Sequence, residues 1–278
     1  MAQCIKPIII RNPSTAPNAP AGLLVPCGKC YACLQRKRSE KVLRLTEEYY
    51  NRPLTLFVTL TYDDAHIPED HKVNKRDPQL FLKRFRKNSG LKLSYFLCSE
   101  YGTKFGRPHY HALLFLHQPN TYDTVVTYIE QSWQLGNIRA DFCNDARINY
   151  VTKYILKQTN HDTFVLQSKK PAIGASLLLD TGKCNFVQTN GYMVKNGYKY
   201  PVPRYYRKKL NPDKIFTQEE SDEQNKTNLE QWQEKRRLIY SFAKDHNMSY
   251  EDAMTYHLQQ CDLLKQIKYN QSKQNDEF

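Results

Sequence analysis

Between residues 54 and 158 the apolar pattern switches between period two and period 3.6 in a fixed order, and that order constrains the fold more than anything else in the chain. Leu54–Tyr62 (LTLFVTLTY) is β-branched and aromatic, with Thr55, Thr59 and Thr61 on one alternating face, and predicts a strand. Asp77 then caps a helix with Pro78 in its first turn, running to about Asn88 and stopped before Gly90. Lys92–Glu100 is a second strand, Tyr101–Pro108 with Gly102 and Gly106 a hairpin loop, and His109–Leu116 a third strand. A helix starts at Asn120 or Thr121 and runs to about Gln134. A short strand follows at Asn137–Phe142, then a helix from Asp145 to about Gln158. The order β-α-β-β-α-β-α is the split βαβ pattern. It predicts an α+β fold: a ferredoxin-like, RRM-like antiparallel sheet with helices on one face and the other face open to a ligand.

The flanks read differently. Pro7, Pro13, Pro17, Pro20 and Pro26 prevent long regular elements before Gly28. Leu34, Val42, Leu45 and Tyr49 recur at helical spacing among Arg36, Lys37, Arg38, Lys41 and Arg44, which predicts a basic amphipathic helix ending before Pro53. After the sheet region come a less periodic basic stretch and a charged helical region with Trp232, Leu238, Ile239 and Phe242 as its apolar stripe. Four segments are expected: 1–53, 54–160, 161–215 and 216–278.

Lys and Arg number 41 against 28 Asp and Glu, a formal charge of +13 over 278 residues. That surplus argues for an anionic partner, nucleic acid before an acidic membrane. No run of about 18 apolar residues exists, which excludes a membrane-spanning helix. Met1–Asn12 lacks the pattern of a secretion signal, so a reducing cytoplasm is expected. Eight cysteines are then not a disulfide framework. Cys27, Cys30 and Cys33, with Cys4 as a fourth thiolate, have the ligand count of a closed tetrahedral Zn²⁺ site. An iron–sulfur cluster or unligated thiols would use the same residues.

The sharpest chemical feature is Pro108-His109-Tyr110-His111. On a strand the two histidines project from one face, about 7 Å apart, and can share a metal ion. Glu100 joins them if it pairs opposite His109; a slip of one residue turns it away. The second feature is Tyr150-Val-Thr-Lys153-Tyr154-Ile-Leu-Lys157. On a helix, positions 150, 153, 154 and 157 form one stripe while Val151 and Ile155 face the core. A tyrosine hydroxyl can be a nucleophile, but with a free pKa of about 10 it needs help at neutral pH. Neighbouring lysines and a divalent cation would supply it. Histidines, paired tyrosines and basic charge together suit tyrosine attack on a nucleic-acid backbone.

These residues also carry a resemblance. Phe57-Val-Thr-Leu-Thr-Tyr62, Arg107-Pro-His-Tyr-His-Ala-Leu-Leu-Phe115 and the 150–157 segment resemble, in order and in context, the three motifs of HUH endonucleases. The chain is most similar to the rolling-circle replication initiators of microviruses of the gokushovirus type. The Pro26-Cys-Gly-Lys-Cys-Tyr-Ala-Cys33 segment is similar to the same initiators. Tyr110 departs from the family pattern, being aromatic where an aliphatic residue is usual, and it places a hydroxyl on the opposite face. The resemblance implies metal ligation by His109, His111 and Glu100, with Mg²⁺ or Mn²⁺ as the metal. It implies Tyr150 and Tyr154 as alternating nucleophiles, and Lys153 and Lys157 as orienting the scissile phosphate. The expected function is nicking of single-stranded origin DNA through a 5′-phosphotyrosine with a free 3′-hydroxyl, then rejoining. Host helicase and polymerase are the expected partners, in the bacterial cytoplasm. Arg36, Lys37, Arg38, Lys41, Arg44, Arg107, Arg204, Arg207, Lys208 and Lys209 are expected DNA contacts. The rival readings are another HUH enzyme (plasmid initiator, relaxase or transposase) and a non-enzymatic zinc-containing nucleic-acid-binding protein.

Overall fold

The computed structural model describes residues 4, 7–11, 22–102, 106–157, 163–195, 197–210, 218–250, 252–254, 256, 257 and 260. The chain divides into two compact units, one of residues 1–34 with 213–278 and a larger one of 35–212. In the smaller unit, β1 (Ile8–Arg11) and β2 (Gly22–Val25) pair antiparallel. The prolines therefore keep these elements to four residues each rather than abolishing them.

The larger unit takes most of α1 (Tyr31–Tyr50) and is built on five antiparallel strands. Along the chain these are β3 (Leu54–Tyr62), α2 (Arg76–Ser89), β4 (Leu93–Tyr101), β5 (Pro108–Leu116), α3 (Tyr122–Ser132), β6 (Gly136–Phe142) and α4 (Asp145–Lys157), followed by β7 (Val165–Gln167). The spatial order is β6-β3-β5-β4-β7, the split βαβ arrangement with one added edge strand. The short β7, with only three residues, has too little alternation to be read from sequence.

Period-two alternation decides the two faces. Leu56, Val58, Leu60, Tyr110, Ala112 and Leu114 face α2 and α3, which contribute Phe81, Phe85, Val125 and Ile129. Phe96, Cys98, Leu113 and Phe115 face the other way, against Leu45 of α1 and Ile148, Val151, Tyr154 and Ile155 of α4. The second face is therefore not open along its length, as the sequence led us to expect. The apolar stripes of α1 and α4 need burial, and this face supplies it. Packing of Leu45 and pairing of β7 on β4 also join the basic helix and the segment after residue 160 to the sheet.

Asp77 does not cap α2. The helix starts at Arg76, with no side-chain cap bond from Lys75, and the Asp77 carboxylate instead accepts from the Tyr62 hydroxyl at 2.5 Å. α3 is capped by Thr121, whose side chain accepts from the Thr124 amide. Trp133 is fully buried and donates its indole N–H to the Thr61 carbonyl at 3.1 Å. Gly136, with φ 143°, opens β6 where a Cβ would strike the Asp63 amide and lie 2.5 Å from the Thr61 carbonyl oxygen. Gly136→Ala is therefore expected to lower stability by about 3 kcal/mol, combining backbone strain and overpacking; a chemical denaturation curve with an unchanged midpoint would contradict this.

The rest of the larger unit folds around Leu177, Val187, Met193, Val202 and Tyr206. It comprises a 3₁₀ turn at Ala175–Leu179, α5 (Thr181–Asn190), β8 (Tyr192–Lys195), β9 (Tyr198–Pro201) and α6 (Arg204–Leu210). In the smaller unit, α7 (Gln218–Asp245) packs Ile239 and Ala243 with Ala253. Leu238, expected in that stripe, is 62 % exposed, because it lies one residue round the helix from the buried Ile239.

Candidate functional site

The site sits where β4, β5 and α4 meet. Glu100 pairs directly opposite His109 and Cys98 opposite His111, so Glu100, His109 and His111 share one face. On the other side of β5, Thr59 pairs with His111 and Thr61 with His109. Glu100 is the hub. Its Oε2 lies 2.9 Å from His111 Nε2 and accepts from the hydroxyls of Tyr150, at 3.2 Å, and Tyr154. The two tyrosine hydroxyls are 2.9 Å apart. His111 stacks between Phe57 and Tyr154, at 5.6 and 6.0 Å between ring centroids, and meets the Tyr150 ring edge-on.

The electrostatics follow from this packing. Burial alone would raise the Glu100 pKa, but hydrogen bonds from His111 and the two tyrosines outweigh it and bring it to about 2. Burial first, then the Glu100 carboxylate, pushes Tyr154 well above the usual phenol range. Burial also raises Tyr150, and Glu100 adds to that. The lysines thus do not govern the phenols as the helical stripe suggested. Lys153 Nζ lies over the Tyr150 ring, 5.8 Å from its centroid, and Lys157 is in the last turn of α4 with its side chain outside the described residues. Tyr154 is only 5 % exposed while Tyr150 is 37 % exposed, so the two hydroxyls meet at the edge of the core.

The donors fit a divalent cation. His109 Nδ1 donates to the Pro108 carbonyl at 3.1 Å, which leaves Nε2 with its lone pair. That nitrogen lies where a Cβ on residue 102 would be 2.6 Å away, so Gly102 gives the ring its room. His111 Nδ1 meets the Thr59 hydroxyl at 3.0 Å. If that nitrogen carries the proton, Nε2 and Glu100 Oε2 are two acceptors facing each other, a pair that needs a shared proton or a cation between them. Thr59 was missed as a site residue, although its alternation onto the threonine face was the signal for it. His109 lies on the same face without joining Glu100 and His111 in a tight triad.

Among the described residues, one set of three or more metal-ligand side chains has all its donor atoms within 4.8 Å of one another: Cys4, Cys27, Cys30 and Cys33. The Cys30 and Cys4 sulfurs are 3.9 Å apart. The Cys27 amide points at Cys4 Sγ, at 3.2 Å, and the Cys30 amide at Cys27 Sγ, at 3.3 Å. Burial raises the Cys27 thiol, but the surrounding N–H and thiol contacts prevail and lower it to about 7. Four thiol donors, one already near its thiolate form, suit a closed tetrahedral metal site.

The expected DNA contacts divide. Arg36, Lys37, Arg204, Arg207, Lys208 and Lys209 are exposed. Arg38 donates to the Asn149 carbonyl and Thr152, fastening α1 to α4. Arg44 donates to the Ile173 carbonyl and stacks over Tyr205, and Lys41 donates to Gln167. Arg107 holds the Tyr62 carbonyl, at 2.8 Å, and Asp64. These four hold the fold together as well as carrying charge.

An antiparallel sheet with a carboxylate, two histidines and two tyrosines gathered at one end defines an α+β protein with an HUH-like core. Residues 55–159 match the family model named for the phage replication-associated protein ORF2. The chain is 29 % identical to the replication-associated protein VP4 of Bdellovibrio phage phiMH2K, over 99 % of this chain and 98 % of that protein. It is 28 % identical to the replication-associated protein ORF4 of Chlamydia phage 1, over 70 % of this chain and 56 % of that one. A third relative, the replication-associated protein ORF2 of Spiroplasma virus 4, is 35 % identical over 33 % of this chain and 31 % of its own length. No solved structure matches the chain. The chain belongs to the phage replication-associated proteins, as a rolling-circle initiator of the microvirus type. No helix among the described residues is long and apolar enough to cross a membrane.

Proposed function

We propose that the chain starts rolling-circle replication by nicking single-stranded origin DNA and later rejoining it, in the cytoplasm of a bacterial host. The observation that carries this reading is the meeting of both tyrosine hydroxyls on Glu100 beside His111. One tyrosine oxygen attacks the scissile phosphorus, the bond to the 3′-oxygen breaks, and a 5′-phosphotyrosine forms. Glu100 is the nearest acceptor for the phenolic proton, and the departing 3′-oxygen leaves as a hydroxyl that a host polymerase can extend behind a helicase. Attack of a 3′-hydroxyl on the phosphotyrosine reverses the step and rejoins the strand. With two tyrosines in contact, one holds a 5′ end while the other cuts the regenerated origin. His109, His111 and Glu100 would hold Mg²⁺ or Mn²⁺, which neutralises charge developing on the phosphate. Lys153 and Lys157 add positive charge along α4 for that phosphate, and the four cysteines would hold Zn²⁺ as a structural ion.

The test uses overlapping single-stranded oligonucleotides from the genome that encodes the chain, with Mn²⁺ or Mg²⁺. A covalent adduct is expected, with mass spectrometry locating the phosphate on Tyr150 or Tyr154. Tyr150→Phe/Tyr154→Phe should abolish it; cleavage by the double variant would sink the tyrosine mechanism.

A further inference from the structure

The largest cavity of the larger unit, about 1200 Å³, lies away from the tyrosines. It wraps the outer edge of the sheet at the opposite end of β4 from Glu100, between the start of that strand, the segment after β7, and one side each of α1 and α2. Tyr95 and Phe96 line it; Glu100 is five residues further along the strand, about 17 Å at ~3.3 Å per residue. Eight Lys or Arg side chains line this groove against a single carboxylate, Glu40. Lys41 and Arg44 are tied into the fold, as described above. Lys75, Lys92, Lys169 and Lys170 are different: all four are exposed and none ion-pairs with a carboxylate among the described residues. They come from four places in the chain (before α2, before β4, and two beyond β7) and are brought to one opening by the fold alone.

Like charges gathered on one concave surface raise the local potential and attract a polyanion. The groove also holds an aromatic surface. Tyr95 is half-buried, with the Arg86 guanidinium 5.6 Å from its ring centroid, a pairing on which an unstacked base can lie. An aromatic face is useful to unpaired bases and not to a closed duplex.

We infer that this groove is a second nucleic-acid site, which holds the backbone of single-stranded DNA remote from the bond being cut. The inference rests on the proposed function for the identity of the strand. The site lengthens the tract of single strand the protein grips, and gives affinity without sequence preference.

The test compares oligo-dT of 40 and 10 nucleotides by fluorescence anisotropy, with the full chain. In Lys75→Glu/Lys92→Glu/Lys169→Glu/Lys170→Glu, affinity for the 40-mer should fall at least ten-fold. The slope of log affinity against log salt should become shallower by about 2 to 3, at ~0.7 per lost phosphate contact on a single strand. The same four positions as Gln should give a smaller loss in the same direction, and both variants should melt within a few degrees of the parent. Tyr150→Phe/Tyr154→Phe should keep the parent's preference for the longer strand. An unchanged 40-mer affinity and salt slope in the Glu variant would overturn the groove, as would equal or tighter binding of a 40-base-pair duplex that the same substitutions weaken. If the parent forms no covalent adduct with any origin oligonucleotide but the Glu variant still loses the 40-mer, the nicking function falls and the groove stands.

Discussion

Glutamine in place of Glu100 is expected to lower nicking and rejoining by about 10²–10³-fold, the range for removing one stabilising group from a preorganised charged site. Affinity for single-stranded DNA should stay within two-fold. The argument is geometric. One carboxylate oxygen serves His111 and two phenols, so an amide of the same shape keeps the packing but loses the charge and one acceptor. It removes both the acceptor for the tyrosine proton and the anionic cation ligand at once. The same substitution has a signature in the uncatalysed protein. Hydrogen bonds in the folded state lower the Glu100 pKa from 4.5 to about 2, so its contribution to stability is present above the ordinary carboxylate value and is lost as pH falls through the folded one. The melting difference between parent and Glu100→Gln should be fully developed above pH 4.5 and shrink as the pH falls toward 2. The Tyr154 and Tyr150 phenols, now held up by burial and by Glu100, should titrate lower in the variant, measured by ultraviolet absorbance. Parent-like cleavage by Glu100→Gln would remove the carboxylate from the reaction, and a pH-independent melting difference would show that its charge is not what stabilises the fold.

Much of this site was legible because strand alternation is a hard rule. Tyr110 between two histidines had to face away from them, and it does: it is buried, with its hydroxyl 2.8 Å from that of Tyr62 and donating to the Asn74 carbonyl, which ties the histidine strand to the segment before α2. The Glu100–His109 pairing followed from a hairpin with one register that keeps both on a face. Other features depend on tertiary packing that periodicity does not encode. A helical arc from Tyr150 to Lys157 says which residues share a side, not which part of that side meets the sheet; in the fold Tyr154 goes under and Tyr150 stays at the rim. Thr59 and Phe57 become part of the site only through pairing of β3 with β5 and stacking on His111. Asp77 looked like a cap because Pro78 follows it, but a buried tyrosine hydroxyl needs a partner, and the Tyr62–Asp77 bond satisfies it.

Serine in place of Cys30 is expected to release bound zinc and to unfold the smaller unit's N-terminal arm, the second large effect. The four sulfurs come from one segment at Cys4 and one at Cys27–Cys33, separated in sequence by β1 and β2, and the described contacts between those segments at this point are largely thiol contacts. A short two-stranded sheet whose Ile8, Ile9 and Ile10 are exposed has little core to hold it. A structural metal supplies what the core does not, with apparent binding energies of about 10–16 kcal/mol in small zinc domains. Loss of one thiolate should therefore cost metal and order together. Elemental analysis of the purified parent should give one zinc per chain, and the variant well under half that. Limited proteolysis should cut the variant between residues 5 and 26 under conditions that leave the parent whole. Chelation of the parent should reproduce that cleavage, and added Zn²⁺ should reverse it in the parent but not in Cys30→Ser. The larger unit has a separate core, so its melting should move little. Iron in place of zinc would make the cluster a redox centre, and a metal-free parent with a protease-resistant arm would show that the thiols simply pack.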